Sequence, residues 1–302
     1  MRTAFAIERK AALITPTNPA SATSPTNQPG VVRGRAWVPF LIGFGLLWGT
    51  LALLGEWDAT GRWGILILTV VVLVAVVVDR ATPRTPWRAT IRHLGLGLPA
   101  WRAVALALVV SILVLLVFPI TEIVTGADLE LVIDWPWILI GLFAFHGLAE
   151  ELLWRGYAFR RLRLGRSFTR TVLWTMPLVA AAHIPIVHRN GSTVGIGALL
   201  VAASTSVPLA YLYETGRGTI WAPALVHTAI DSFKLFVLPA SAVLTFSLLL
   251  VMVSLTIPLL ALVVPRRVLS RPLAPPSLTA VGHLRLPRTG RRAGKRASRH
   301  DG

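Results

Sequence analysis

Eight stretches of this chain are apolar over roughly the length that a helix needs to cross a bilayer. They lie near 36–54, 63–78, 103–119, 136–154, 172–187, 194–213, 220–238 and 241–264. A span takes about 20 apolar residues at 1.5 Å of rise per residue. No periodic repeat and no soluble domain is visible between them. The expected fold class is therefore all-α, a polytopic transmembrane helix bundle of about eight spans. Composition agrees. The chain is 54% hydrophobic and 14% charged, with mean hydropathy +0.68, whereas a soluble domain is about 45–50% apolar and about 25% charged.

Three units follow from the composition shifts. Residues 1–35 contain "TPTNPASATSPTNQPG" and read as a disordered tail, with no apolar h-region of a signal peptide behind Arg2, Arg9 and Lys10. Residues 36–264 form the transmembrane domain. Residues 265–302 carry ten Lys or Arg against one acid, Asp301, and read as a second disordered tail. Such a tail suits anionic lipid headgroups as partners. The net charge of +17 does not point to nucleic acid, because the arginines sit in loops and tails beside apolar runs. There is no cysteine, which removes disulfides and thiolate chemistry.

Loop charges give an orientation. Segment 79–102 holds Arg80, Arg84, Arg88, Arg92 and Arg102, and segment 155–170 holds Arg155, Arg160, Arg161, Arg163, Arg166 and Arg170. Segment 120–135 instead holds Glu122, Asp128, Glu130 and Asp134 with no basic residue. Under the positive-inside rule the basic segments are cytoplasmic, the acidic loop is outside, and eight spans put both termini in the cytoplasm of a cell-membrane protein.

Against this apolar background several polar side chains fall inside the spans. They are His146, Glu150 and Glu151 in the fourth, His183 in the fifth, and His227, Asp231 and Lys234 in the seventh. A charge at the centre of a membrane helix costs roughly 2.5–3.5 kcal/mol on the insertion scale, and such residues usually face the bundle interior. Counted from the basic ends, Glu150 lies at most about 15 Å deep, His183 roughly 18 Å, and His227 roughly 11 Å with Asp231 about 6 Å deeper. Overlapping depth on three helices is the pattern of one site built between them. Within the fourth span, Glu151 and Arg155 are four apart and pair on one face, leaving Glu150, turned by about 100°, to point into the bundle. His146 shares the face of Glu150, and His227 shares the face of Asp231.

"EELLWR" (Glu150, Glu151, Arg155), "VAAAH" ending at His183 and "HTAID" (His227, Asp231) resemble the CPBP family, the CAAX protease and bacteriocin-processing family of intramembrane proteases, also called Abi. Its pattern is EExxxR, FxxxH and HxxxN or HxxxD on successive core helices. The resemblance covers about 136–240. Val179 stands where the family usually has phenylalanine, a change of packing between two apolar residues. The resemblance implies a polytopic enzyme that cleaves a peptide bond near the cytoplasmic face. The substrate would be a peptide or protein, prenylated at its C-terminus for some members, while other bacterial members are bacteriocin self-immunity proteins.

The residues themselves suit hydrolysis, which needs an activated water, a group for the oxyanion and a proton donor for the leaving amine. Glu150 fits the general base. His183 can hold the water or ligate a metal. An ionised Asp231 is acceptor-only, unlike asparagine, so it fits metal ligation or orientation of His227; protonated, it could instead act as a donor. Two arrangements follow. In one, a divalent metal such as zinc is held by His183, His227 and Asp231; in the other, Glu150 activates the water without metal. Glu151 and Arg155 read as structural support. His146 reads as an interhelical hydrogen-bonding residue, Lys234 as a neutraliser of Asp231 or a snorkelling cation, and His188 of "HRNG" as a loop residue. A non-catalytic interaction or immunity protein and a proton-coupled transporter are the other function classes that such residues serve.

Overall fold

The computed structural model describes residues 37–58, 60–81, 86–263 and 265. The tails expected over 1–35 and 265–302 lie, apart from Pro265, outside the described residues. The described chain is a helix bundle: α1 (Trp37–Trp57), α2 (Gly64–Arg80), α3 (Trp87–His93), α4 (Trp101–Leu115), α5 (Val117–Thr125) and α6 (Trp135–Leu142). The helix begun by α6 continues through two π-helical stretches, Phe143–Ala149 and Leu152–Phe159, into α7 (Arg160–Arg163). Then come α8 (Phe168–Ala182), α9 (Ile184–Thr215), α10 (Trp221–Asp231) and α11 (Val243–Thr256). A short antiparallel pair, β1 (Glu130–Leu131) and β2 (Phe236–Val237), is the only sheet among the described residues.

Each of the eight apolar stretches coincides with a helix. Six helical runs are long and apolar enough to cross a membrane: Trp37–Trp57, Trp101–Thr125, Trp135–Arg163, Phe168–Arg189, Val194–Thr215 and Val243–Val263. The other two are α2, of 17 residues, and α10, of 11, so eight is an approximate count. α10 is short because the chain leaves it through a 3-10 turn, Ser232–Leu235, into β2.

The break between the fifth and sixth stretches has a local cause. Gly191 has φ 82°, ψ 165°, a conformation that L side chains rarely adopt. It kinks α9 between the runs 168–189 and 194–215, and His188, expected in a loop, stands exposed in the helix just before the kink.

Burial ranks the runs. In an 18-residue apolar window of the Trp135–Arg163 run 67% of the residues are buried inside the bundle, against 22% in that of Trp37–Trp57. The fourth span is thus the central helix, and the outer spans turn leucines, valines and tryptophans outward. Trp57, Trp63, Trp87, Trp101 and Trp137 are exposed near helix ends, as an interfacial aromatic belt requires.

The central helix runs further than expected. Residues 155–163 belong to it rather than to an arginine-rich loop. Their cations find protein partners: Arg155 pairs with Glu151 at 2.7 Å, Arg161 with Asp79 at 3.0 Å, and the fully buried Arg163 with Glu214 at 2.5 Å. A neutralised arginine no longer needs water, so the helix continues past the point where sequence charge alone would end it.

α10 is fixed at both ends. The Ile220 amide donates to the Gly95 carbonyl at 3.0 Å, and the Trp221 indole N–H donates to the Gly97 carbonyl at 2.9 Å. Beyond its other end, β2 pairs with β1, and the Val132 amide donates to the Leu235 carbonyl at 2.9 Å. Between these ties α10 packs on α4, α9 and the first π-helical stretch. A Cβ at Gly147 would stand 2.5 Å from Thr228 Oγ1 and 3.1 Å from the Ala224 carbonyl oxygen. Glycine there lets the central helix approach α10 closely, as small residues do at membrane helix interfaces.

Candidate active site

Glu150 and Glu151 occupy the two α-helical residues between the π-helical stretches. The Glu150 amide reaches the Phe145 carbonyl, and the Arg160 amide reaches the Arg155 carbonyl. These are the i→i+5 bonds of a π-helix, a rare conformation that often marks functional sites. No feature of the sequence announces it.

The two carboxylates have different surroundings. Glu151 is wholly buried, and its Oε1 accepts from Arg155 NH1 at 2.7 Å and from His227 Nδ1 at 2.8 Å. Its Oε2 is buried with no hydrogen-bond partner among the described residues. The expected Glu151–Arg155 pair is therefore present, but it also holds His227. The Nδ1 side of the His227 ring is taken by Glu151, because α10 turns His227 toward the central helix, while Asp231 Oδ2 lies 3.5 Å from Nε2.

Glu150 is partly exposed, and one of its oxygens is fixed. His146 Nδ1 lies 2.7 Å from Glu150 Oε1, four residues apart on a shared face as the spacing predicts. Glu150 Oε2 has no hydrogen bond among the described residues and faces His227 Nε2 at 3.7 Å. Asp231 Oδ2 lies between the two histidines, 3.6 Å from His146 Nδ1.

His183 caps α8, where Pro185 in the first turn of α9 interrupts the helix. Its Nδ1 donates to the Val179 carbonyl at 2.8 Å, a contact that leaves Nε2 as the free ring nitrogen. It lies within electrostatic reach of Glu150. His183 and His227 thus share a feature, Nδ1 engaged by an acceptor and Nε2 open, that also suits metal ligands. Among the described residues, however, no group of three or more His, Asp or Glu side chains is placed to hold a metal ion.

Two residues read as bland from the sequence enter the site. His146 contacts Glu150, and Lys234 Nζ lies 2.7 Å from His146 Nε2. Lys234 forms no ion pair with Asp231 among the described residues; the 3-10 turn carries it off the face of α10 and toward His146. The i, i+4 spacing set His146 beside Glu150 without marking it as part of the site, whereas nothing local pointed Lys234 at it.

Beside the polar cluster runs an apolar groove of about 730 Å³, lined by residues of α4 to α6, the first π-helical stretch and α10 that include Phe118, Trp135, Leu139, Phe143 and Leu225.

Residues 132–233 match the family described as "Type II CAAX prenyl endopeptidase Rce1-like". The match contains all six residues of the three motifs and is consistent with the CPBP family. It points to a CAAX-protease type of membrane endopeptidase acting on a peptide or protein. No curated protein and no solved structure matches the chain.

Proposed function

We propose, from a membrane core of the CAAX-protease type, that this protein is an intramembrane endopeptidase in which Glu150 activates water without a metal. One observation carries the reading: Glu150 has Oε1 held by His146 and Oε2 free, facing His227 Nε2. A carboxylate fixed by one oxygen and open at the other is a placed base.

In the proposed reaction, Glu150 Oε2 takes a proton from water as the water oxygen bonds to the scissile carbonyl carbon. The carbonyl oxygen becomes an oxyanion, and a proton on His227 Nε2 hydrogen-bonds it, the ring being held through Nδ1 by Glu151. Asp231, 3.5 Å from Nε2, stabilises the protonated ring. His183, with Nδ1 on the Val179 carbonyl, presents Nε2 to the water. The C–N bond then breaks, and the proton on Glu150 passes to the leaving amine. The hydroxyl stays on the new carboxyl group, so protons and atoms balance.

The positive-inside rule places the arginine-rich end of the bundle in the cytoplasm, and in this reading substrates reach the site from that end. A hydrocarbon chain on the substrate would be accommodated by the lipid phase that the bundle faces.

The test is cleavage by purified protein of a panel of prenylated and unmodified peptides. Wild-type protein is expected to cleave at least one class, and Glu150→Gln none, with unchanged thermal stability. Substantial cleavage by Glu150→Gln would remove the general base and the mechanism with it.

A further inference from the structure

Lys234 is a half-buried ammonium in a membrane bundle that forms no ion pair among the described residues. Leaving such a group without a carboxylate is costly. Its position is nevertheless fixed. The 3-10 turn that carries it is clamped by the Val132–Leu235 backbone bond and the β1–β2 pair. Its Nζ is directed at one ring nitrogen, His146 Nε2, at 2.7 Å.

An ammonium can only donate. Nε2 of His146 therefore accepts, the ring proton resides on Nδ1, and Nδ1–H donates to Glu150 Oε1 at 2.7 Å. The Phe145 ring stacks on the imidazole, with centroids 4.3 Å apart, and restricts its rotation. Asp231 Oδ2, at 3.6 Å from Nδ1, is the other charged group beside the ring.

We propose that Lys234 and His146 are positioning residues for Glu150: Lys234 fixes the His146 tautomer, and the ring holds Glu150 Oε1 so that Oε2 is turned toward the reacting water. This rests on the reading of Glu150 as general base. The strand pair at the acidic end of the bundle thereby acts on the site, since it holds the turn that aims Lys234. Misplacing a reacting group by about 1 Å costs roughly a hundredfold in rate, so the relay acts on kcat more than on KM.

The test compares variants that keep one contact each. An asparagine amide can replace the Nδ1–H contact with Glu150, and a glutamine carbonyl can replace the Nε2 contact with Lys234. His146→Asn is expected to retain about tenfold more kcat than His146→Gln, with KM similar in both. Lys234→Met is expected to lower kcat by about tenfold or more, and Lys234→Arg, which keeps a donor, to recover part of it. Nitrogen-15 spectra of histidine-labelled protein in detergent give a readout that needs no substrate. The His146 signal, assigned by its loss in His146→Asn, should be the Nδ1–H tautomer in wild type and should lose that preference in Lys234→Met.

Equal kcat for the Asn and Gln variants, or an unchanged tautomer in Lys234→Met, overturns the relay. Glu150→Gln separates the two ideas. If it is inactive while the Lys234 and His146 variants turn over like wild type, only the relay falls. If it is active, the general-base reading falls and takes the relay with it.

Discussion

Glu151 and His227, 76 residues apart in the chain, meet at 2.8 Å between the central helix and α10. The same carboxylate oxygen accepts from Arg155. One fully buried acid thus ties a cation on its own helix to a histidine on another, and the neighbouring Glu150 is left open. That division gives the paired glutamates unequal roles.

Replacing Glu151 should show this. Glu151→Gln leaves Arg155 buried without its carboxylate and removes the acceptor that orients His227. Breaking one side of a buried pair costs about 3–5 kcal/mol, so melting in detergent should fall clearly, with turnover falling alongside. Replacing Glu151 and Arg155 together by neutral residues should recover part of the stability but not the turnover, because His227 still lacks its partner. Full recovery of turnover in the double variant would show that Glu151 does not orient His227.

Asp231 separates the metal-free reading from its competitor. If Glu150 activates water without a metal, cleavage should be insensitive to chelators. Asp231→Asn, which installs the family's other residue at this position, should keep substantial activity. Loss of activity in both experiments, restored by added zinc, would reinstate the metal.

Gly147 tests the helix approach. Alanine would place a Cβ 2.5 Å from Thr228 Oγ1. Overpacking of this kind costs roughly 1–3 kcal/mol, and here it pushes α10 from the helix that carries both glutamates. We expect lower thermal stability and a larger loss of kcat than that stability change accounts for. A variant with wild-type stability and kcat would mean that the interface is looser than the structure has it.

The orientation is open to a direct experiment. Reporter fusions at Asp128 and Arg292 should give opposite signals, with Asp128 outside and Arg292 in the cytoplasm. Matching signals would invert or break the placement of the arginine-rich end.

The sequence by itself determined what depends on local period and spacing. Apolar runs located the membrane-length helices, because burying or lipid-facing a stretch requires apolar residues along its whole length, but not α3, which lies in the arginine-rich segment 79–102. The four-residue interval located Glu151 against Arg155 and His146 against Glu150, because residues so spaced share a helix face. The partners across helices were decided only by the tertiary structure. Whether Asp231 or Glu151 takes His227 Nδ1 depends on how α10 is rotated and how closely Gly147 lets it approach. That Lys234 turns to His146 rather than to Asp231 depends on a 3-10 turn held by a strand pair more than 100 residues apart in sequence. The π-helical backbone around Glu150 is likewise invisible in the residue pattern. These choices follow from packing between distant segments, and side-chain period along one helix carries no information about the rotation of its neighbour.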